Sequence, residues 1–331
     1  MGLPDVADWH NLAAAFHRAA KGARNGAAAQ RFRAHLEERL GTLRAEILDG
    51  TVEVGEMSSF RIRDPKPRLI YAPDFRERVL HHAVMAHVGP VLDRALVDDT
   101  YACRRGRGTL AAVRRCRQHL QRFPWFVQID IRGYFASIDH AILLRQLGRK
   151  FKTPGLLSLL DRIVDAFHTV PGKGLPIGAL TSQHFANFYL SGLDRRLLED
   201  KTVRGLVRYM DDLVWWLDDR ETARATLSLA GTFAQETLAL TIKDPPRIGR
   251  SRDGLLFCGY RILPGAVLLS RRRKRRYAER RRYWEQACAA GRIDERTLQS
   301  GFAAVLGMTR HANAASWRRE QLQRHPQSIP I

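Results

Sequence analysis

The stretch that most constrains this chain is Tyr209-Met210-Asp211-Asp212, set between Leu206-Val207 and Leu213-Val214-Trp215-Trp216-Leu217. Apolar, β-branched and aromatic runs on either side of a short polar tip specify a β-hairpin. Adjacent carboxylates at such a tip repel one another. The pair therefore reads either as an ordinary acidic turn or as oxygen ligands for a cation.

Three further stretches bear on that choice. Trp125 to Ile131 reads as a strand with Val127, Ile129 and Ile131 on one face and Asp130 on the other. A carboxylate ending a buried strand needs a partner or a metal. Phe135 follows and on its own reads as core; Ile138-Asp139-His140 then leads into a helix. Lys173 to Gln183 is a glycine-punctuated loop entering an amphipathic helix expected over Phe185 to Leu198. Gly178 there permits close backbone approach to a flat partner, and Ser182 reads as a helix cap. Between Val52 and Ala72 the pattern gives two short strands, Phe60 to Arg63 and Lys66 to Tyr71. Alternation puts Lys66 and Arg68 on one side of the second, which suits gripping a triphosphate or protecting a solvated edge. Pro73-Asp74 then caps a helix carrying Arg76, Arg78, His81 and His82.

The remaining segments speak to organisation. Trp9, Leu12 and Phe16 predict a short helix, and Phe32, Leu36, Leu40, Leu43 and Ile47 one longer helix, with a break at Gly22 to Gly26. Thr100 to Thr109 is an Arg- and Gly-rich loop opening a helix. It lacks the G-x-x-x-x-G-K spacing of a nucleotide loop, so Arg104 and Arg107 suit a polynucleotide backbone better. Arg271 to Arg276, soon followed by Arg280 to Arg282, predict a helix that is basic almost all round. It reads as a surface tracking duplex phosphates or as a non-specific RNA-binding tail. Leu306 to Trp317 reads as a short closing helix.

The 55 Lys and Arg against 34 Asp and Glu leave a formal charge of +21 in 331 residues, which points to a polyanion partner. Cys103, Cys116, Cys258 and Cys288 are scattered and read as reduced, mostly core residues with no zinc site. No apolar run reaches membrane-span length, the first residues are not a signal peptide, and Val6 stands where a myristoylation motif wants Ser or Thr. A soluble, cytoplasmic protein is expected.

An Asp ending a strand, a Gly-x-x-x-Ser loop (Gly178 to Ser182) opening a helix, and a Tyr-Met-Asp-Asp hairpin, in that order, resemble the palm of a reverse transcriptase. The likeness runs from about Lys66 to Tyr260. It implies an α+β, right-hand polymerase fold: fingers over 1–123, a palm with an antiparallel sheet over 124–262, and a small basic helical thumb over 263–331. It implies two Mg2+ ions bridged by Asp130 and Asp211, with the Ile131 carbonyl as a further ligand and Asp212 in electrostatic support. Lys66 and Arg68 would hold the dNTP phosphates, Phe135 would exclude a 2′-hydroxyl, and Ile177, Gly178 and Gln183 would lie near the nucleotide. Lys243 falls where the family offers a lysine to the leaving pyrophosphate. Phe257-Cys258-Gly259-Tyr260 resembles the primer-grip hairpin. Template and primer would meet Arg104, Arg107, Tyr209, Met210, Gly259, Tyr260, Arg271, Arg272, Arg275 and Arg276.

One departure narrows the resemblance. Most of the family carries Gln-Gly-x-x-x-Ser-Pro, whereas this chain has Ile177 and Gln183 at the ends of that motif. That looks like the reverse transcriptases of diversity-generating retroelements. They copy a template-repeat RNA with misinsertion opposite adenine, and work with a small basic oligomeric accessory protein. A bacterial anti-phage defence reverse transcriptase would keep the same palm chemistry, and a non-catalytic RNA-binding protein on the same fold is the reading from another class.

Overall fold

A computed structural model describes residues 1–21, 26–63 and 67–324. Lys66 and most of the expected Gly22 to Gly26 break lie outside the described residues. In chain order, α1 (Leu3–Val6), α2 (Trp9–Ala20), α3 (Ala27–Ala34) and α4 (Leu36–Asp49) precede the strands β1 (Met57–Arg63) and β2 (Pro67–Pro73). Then come α5 (Phe75–Ala95), α6 (Thr109–Arg122), β3 (Trp125–Ile129), α7 (Tyr134–Ser137), α8 (His140–Gly148), α9 (Pro154–Asp165), α10 (Leu180–Tyr189) and α11 (Ser191–Leu198). The hairpin strands β4 (Gly205–Tyr209) and β5 (Asp212–Leu217) lead to α12 (Arg220–Leu238) and β6 (Arg247–Arg250). The short strands β7 (Leu255–Phe257), β8 (Tyr260–Ile262) and β9 (Val267–Leu269) are followed by α13 (Arg271–Ala289), α14 (Glu295–Gly307) and α15 (Ala315–Arg324).

These elements divide between two compact units. The first comprises Met1–Asp98, Asp130–Glu199 and Ser228–Pro245; the second comprises Asp99–Ile129, Asp200–Leu227 and the chain from Pro246 onward. No helix among the described residues is long and apolar enough to cross a membrane.

In the first unit the N-terminal helices pack on α5 through an aromatic cluster. Phe16, Phe32 and Phe75 have ring centroids 5.3 to 5.9 Å apart. The single apolar stripe expected from Phe32 to Ile47 is in fact split at His35, whose backbone (φ −126°, ψ 43°) leaves the helix. The split lets Phe32 join that cluster while Leu40, Leu43 and Ile47 bury a different face. Asp74 caps α5 by accepting from the Glu77 amide at 2.6 Å, as the Pro73-Asp74 signal requires.

The helix expected from Phe185 to Leu198 is likewise two helices, broken at Leu190, and it begins earlier, at Leu180. Ala179 holds the cap position, and Ser182 is a buried residue of the first turn rather than the cap. The break follows Tyr189, whose buried hydroxyl donates to the Leu238 carbonyl at 2.6 Å.

The second unit is built on an antiparallel sheet in the order β4-β5-β3-β6. One face supplies Phe126, Val207, Val214 and Trp216 to a core with Cys116 and Leu120 of α6 and with Leu255, Phe257, Tyr260 and Ile262. On the other face the Trp215 indole donates to Thr226 at 2.9 Å. The expected closing helix from Leu306 to Trp317 is instead the end of α14, a link over 308–314 and the start of α15. Asn313 explains it: backbone and side chain both bond Val267 at the end of β9, at 2.7 and 2.9 Å, which no helical residue could do. Only Cys116 of the four cysteines is fully buried, so the expectation that most are core residues fails. Cys103 is exposed, Cys258 is half-buried against the core cluster and Cys288 is half-buried on α13.

His119 on α6 gives this unit an acid-sensitive point. Its ring lies 4.8 Å from that of Trp216 and fills the space Gly205 leaves, where a Cβ would come within 2.3 Å of it. Burial, then the charge of Arg115, lowers its pKa from 6.5 to about 4. The folded state thus holds it neutral. The associated stability is present above pH 6.5 and is lost as pH falls towards 4. Urea unfolding of the wild type should lose on the order of 2 kcal/mol across that window that His119→Phe retains. Equal slopes for the two proteins would remove His119 from the account.

Candidate active site

β4 and β5 form a two-residue hairpin: Tyr209 pairs with Asp212, leaving Met210 and Asp211 at the tip. Met210 takes a left-handed φ of 57°, costly for a side chain of that size. The turn is held from below by Arg208, which is fully buried and donates from Nη1 to the Met210 carbonyl at 3.0 Å. The Arg208 amide donates to the Asp99 carbonyl, and its own carbonyl accepts from Tyr101, both at 2.9 Å. Sequence reasoning missed Arg208. The signal was there: a cation at a strand position between Val207 and Tyr209, directly before the acidic tip, must be paired.

Asp211 and Asp212 are both half-buried. Gln128 on β3 donates from Nε2 to Asp212 Oδ1 at 3.0 Å and to the Leu256 carbonyl at 2.9 Å, fixing that carboxylate's orientation. The Cys258 thiol is pushed well up, first by burial and then by the charge of Asp212. Tyr209 packs against the core cluster. The Phe257-Cys258-Gly259-Tyr260 segment is a tight hairpin whose two central residues both have positive φ (49° and 79°). Tyr260 is buried, with the Arg273 guanidinium 4.1 Å from its ring centre, so its place is in the core.

β3 carries the chain towards the first unit. Its last residue, Ile129, pairs with Leu213, and Asp130 follows it directly. Within the first unit, Asp130 is about half exposed rather than buried, with Lys243 Nζ 3.2 Å from Oδ2. The Asp130 carbonyl accepts from the Lys243 amide at 2.8 Å, and Arg132 donates to Thr241 at 2.9 Å. These bonds flank the Ile131–Ile242 bridge, so the Ile131 carbonyl is directed away from Ile242. Phe135 is half-buried at the start of α7, its ring edge-on to Tyr134 at 5.8 Å.

The Gly178 loop is sewn to β2. Ile177 accepts from the Tyr71 amide at 2.8 Å, and at φ 131° a Cβ on Gly178 would fall 2.4 Å from the Tyr71 carbonyl. The close approach that this glycine permits is to the protein's own strand. Gly178 and the exposed Gln183 line a cleft of about 400 Å³ with Arg78, His82, Phe60 and Ile70. Arg68 is exposed on β2; its expected companion Lys66 lies outside the described residues.

Among the basic residues, Arg104 turns back to the Thr100 carbonyl at 3.1 Å and Arg107 lies over the Tyr101 ring. On α13, Arg271, Arg272 and Arg275 are exposed and Arg276 half-buried. The helix is not basic all round: Arg281 is buried in a 2.6 Å ion pair with Glu285.

The carboxylates fit a hard divalent cation by donor chemistry. Each of them, Asp130 in the first unit and Asp211 and Asp212 in the second, offers oxygen only, the donor such an ion prefers.

Comparison with known proteins agrees with this geometry. Residues 62–244, more than half of the chain, match the family described as reverse transcriptase (RNA-dependent DNA polymerase). Protein YkfC of Escherichia coli is 23% identical, covering 83% of each chain. The group II intron-encoded protein LtrA of Lactococcus lactis is 26% identical over half of this chain, which spans only 29% of its length. Apo telomerase from Candida tropicalis superposes with a TM-score of 0.51 at 12% identity, over 66% of this chain and 49% of that one. This likeness places the α+β fold, with its antiparallel sheets, in the class of right-hand polymerases. The chain belongs to the reverse transcriptase family, that of the RNA-dependent DNA polymerases.

Proposed function

We propose that this chain extends a primer with dNTPs on an RNA template, and that it does so as the reverse transcriptase of a diversity-generating retroelement. The observation that carries the polymerase reading is the hairpin that brings the half-buried Asp211 and Asp212 together, on a strand paired residue for residue up to the position before Asp130. In this reading residues 1–123, 124–262 and 263–331 serve as fingers, palm and thumb.

Asp130 and Asp211, with the Ile131 carbonyl, would hold two Mg2+ ions. When bound, such ions lower the pKa of the attacking 3′-hydroxyl and stabilise charge on the leaving oxygen. Asp212, kept in place by Gln128, adds negative potential beside them. Lys243 holds its ammonium against Asp130 and would meet the charge of departing pyrophosphate. Arg68 and Lys66 would take the β- and γ-phosphates, and Phe135 would crowd a 2′-hydroxyl. Arg271, Arg272 and Arg275 offer exposed cations to duplex phosphates. A small basic accessory protein and a structured template-repeat RNA complete the assembly.

The retroelement reading rests on Ile177 and Gln183. A Gln at position 177 can hydrogen-bond near the incoming sugar, whereas Ile offers only shape, so rejection of mispairs relaxes. Primer extension on RNA, read by sequencing, should show errors concentrated at template adenines. Ile177→Gln should lower them about tenfold, the effect of one hydrogen bond worth roughly 1.4 kcal/mol. Unchanged misinsertion in that variant would remove the retroelement assignment and keep the polymerase.

A further inference from the structure

Far along the chain from the acidic hairpin, the first unit gathers His140, Asp165 and His168, whose ligating atoms all lie within 4.8 Å of one another. His140 opens α8, Asp165 ends α9, and His168 begins the turn that leads to the Gly174 to Gly178 loop.

Hydrogen bonding sets the chemistry of this group. His140 is 5% exposed and its Nε2 lies 2.7 Å from the Gly174 carbonyl. A carbonyl can only accept, so Nε2 carries the proton and the neutral ring presents a lone pair at Nδ1. That Nδ1 is buried with no hydrogen-bond partner. It faces Asp165 Oδ1 at 3.8 Å, and His168 Nε2 lies 3.3 Å from the same oxygen. Ligand bonds of about 2.0–2.2 Å at a tetrahedral centre put donor atoms roughly 3.4 Å apart. A histidine locked by a backbone carbonyl on its far nitrogen is also the usual support for a metal-ligating imidazole.

We infer that His140 Nδ1, Asp165 and His168 Nε2 form a binding site for a divalent transition metal of the zinc class, bracing the turn that carries the Ile177-Gly178 loop. Two imidazoles and one carboxylate favour such an ion over Mg2+, and solvent at the exposed Asp165 side supplies the fourth position. Binding at His168 Nε2 requires the neutral ring to carry its proton on Nδ1, which gives up the 3.3 Å bond that Nδ1 accepts from the Gly172 amide. The scattered cysteines gave no hint of a zinc site, because no thiolate takes part.

The test is Zn2+ titration of chelator-treated full-length protein, with excess Mg2+ present to occupy the acidic hairpin. The wild type should bind one equivalent and gain about 5 °C in Tm at a hundredfold excess over Kd. Co2+ in its place should give the strong visible bands of a four-coordinate, nitrogen-ligated ion. Asp165→Asn and His168→Ala, both at exposed side chains, should match the wild type in chelator and lose both signals. A wild type without a Zn2+ response, or a response intact in both variants, would overturn the site. Neither residue belongs to the polymerase centre, so this result is independent of extension activity.

Discussion

Asp211→Ala is expected to abolish primer extension, by at least about 10³-fold, with stability changed by less than about 1 kcal/mol. The two halves of that expectation have separate causes. At the hairpin tip the side chain is half-buried and is not one of the buried core residues, so its removal opens no large cavity. It also removes one of two neighbouring negative charges. The carboxylate's proposed work is to hold ions that carry several kcal/mol of transition-state charge, and about 4 kcal/mol already amounts to a thousandfold. Single-turnover extension at saturating dNTP, beside urea unfolding of both proteins, reads the two quantities. Substantial residual extension would mean that Asp211 is an ordinary turn residue and that the site lies elsewhere.

Arg208→Met should cost about 2–4 kcal/mol of stability and, at a temperature where the variant is still folded, about 10²-fold in rate. The guanidinium is fully buried and supports the Met210 carbonyl, in a turn whose backbone is unfavourable for its own residue. Without that donor the carbonyl is left unsatisfied and the left-handed Met210 loses its main restraint. The Asp211 carboxylate moves with it, and a misplacement of about 1 Å is enough for the rate loss. Arg208→Lys should recover part of the stability but less of the rate, since an ammonium lacks the planar fork. If Arg208→Met loses stability yet extends at the wild-type rate, the arginine is only a core residue.

How far the sequence could be read follows the same division between local and long-range causes. The hairpin was legible because apolar pattern and turn chemistry are local, and β4 and β5 fall where Leu206-Val207 and Leu213 to Leu217 predict. Asp74 as a helix cap belongs to the same class. What failed was continuity. The break at His35 carries no Gly or Pro, and Leu190 has only the Ser191-Gly192 pair after it; at both, Phe32 and Tyr189 are claimed by partners distant in sequence. Asn313 stops a helix for the same reason. At the site, residue types were legible and their supports were not. Gln128 and Arg208 are not singled out by the strand pattern, and only the fold shows them fixing Asp212 and Met210. Gly178 looked like a residue facing outward, yet its close contact is with Tyr71 of β2.

The division of the chain into two interleaved units has a consequence for anyone cutting it. The polypeptide changes unit after Asp98, Ile129, Glu199, Leu227 and Pro245, so each unit is assembled from separate segments. A stop codon after Pro245 would strip β6 from the sheet that holds the acidic tip, together with β7 to β9 from its core. A start at Asp99 would delete α5, the helix against which α10 makes its most extensive packing. Neither half can therefore be rescued as a minimal fragment by trimming from one end. Inactivating this protein by deletion reports on folding, and only point substitutions can report on chemistry.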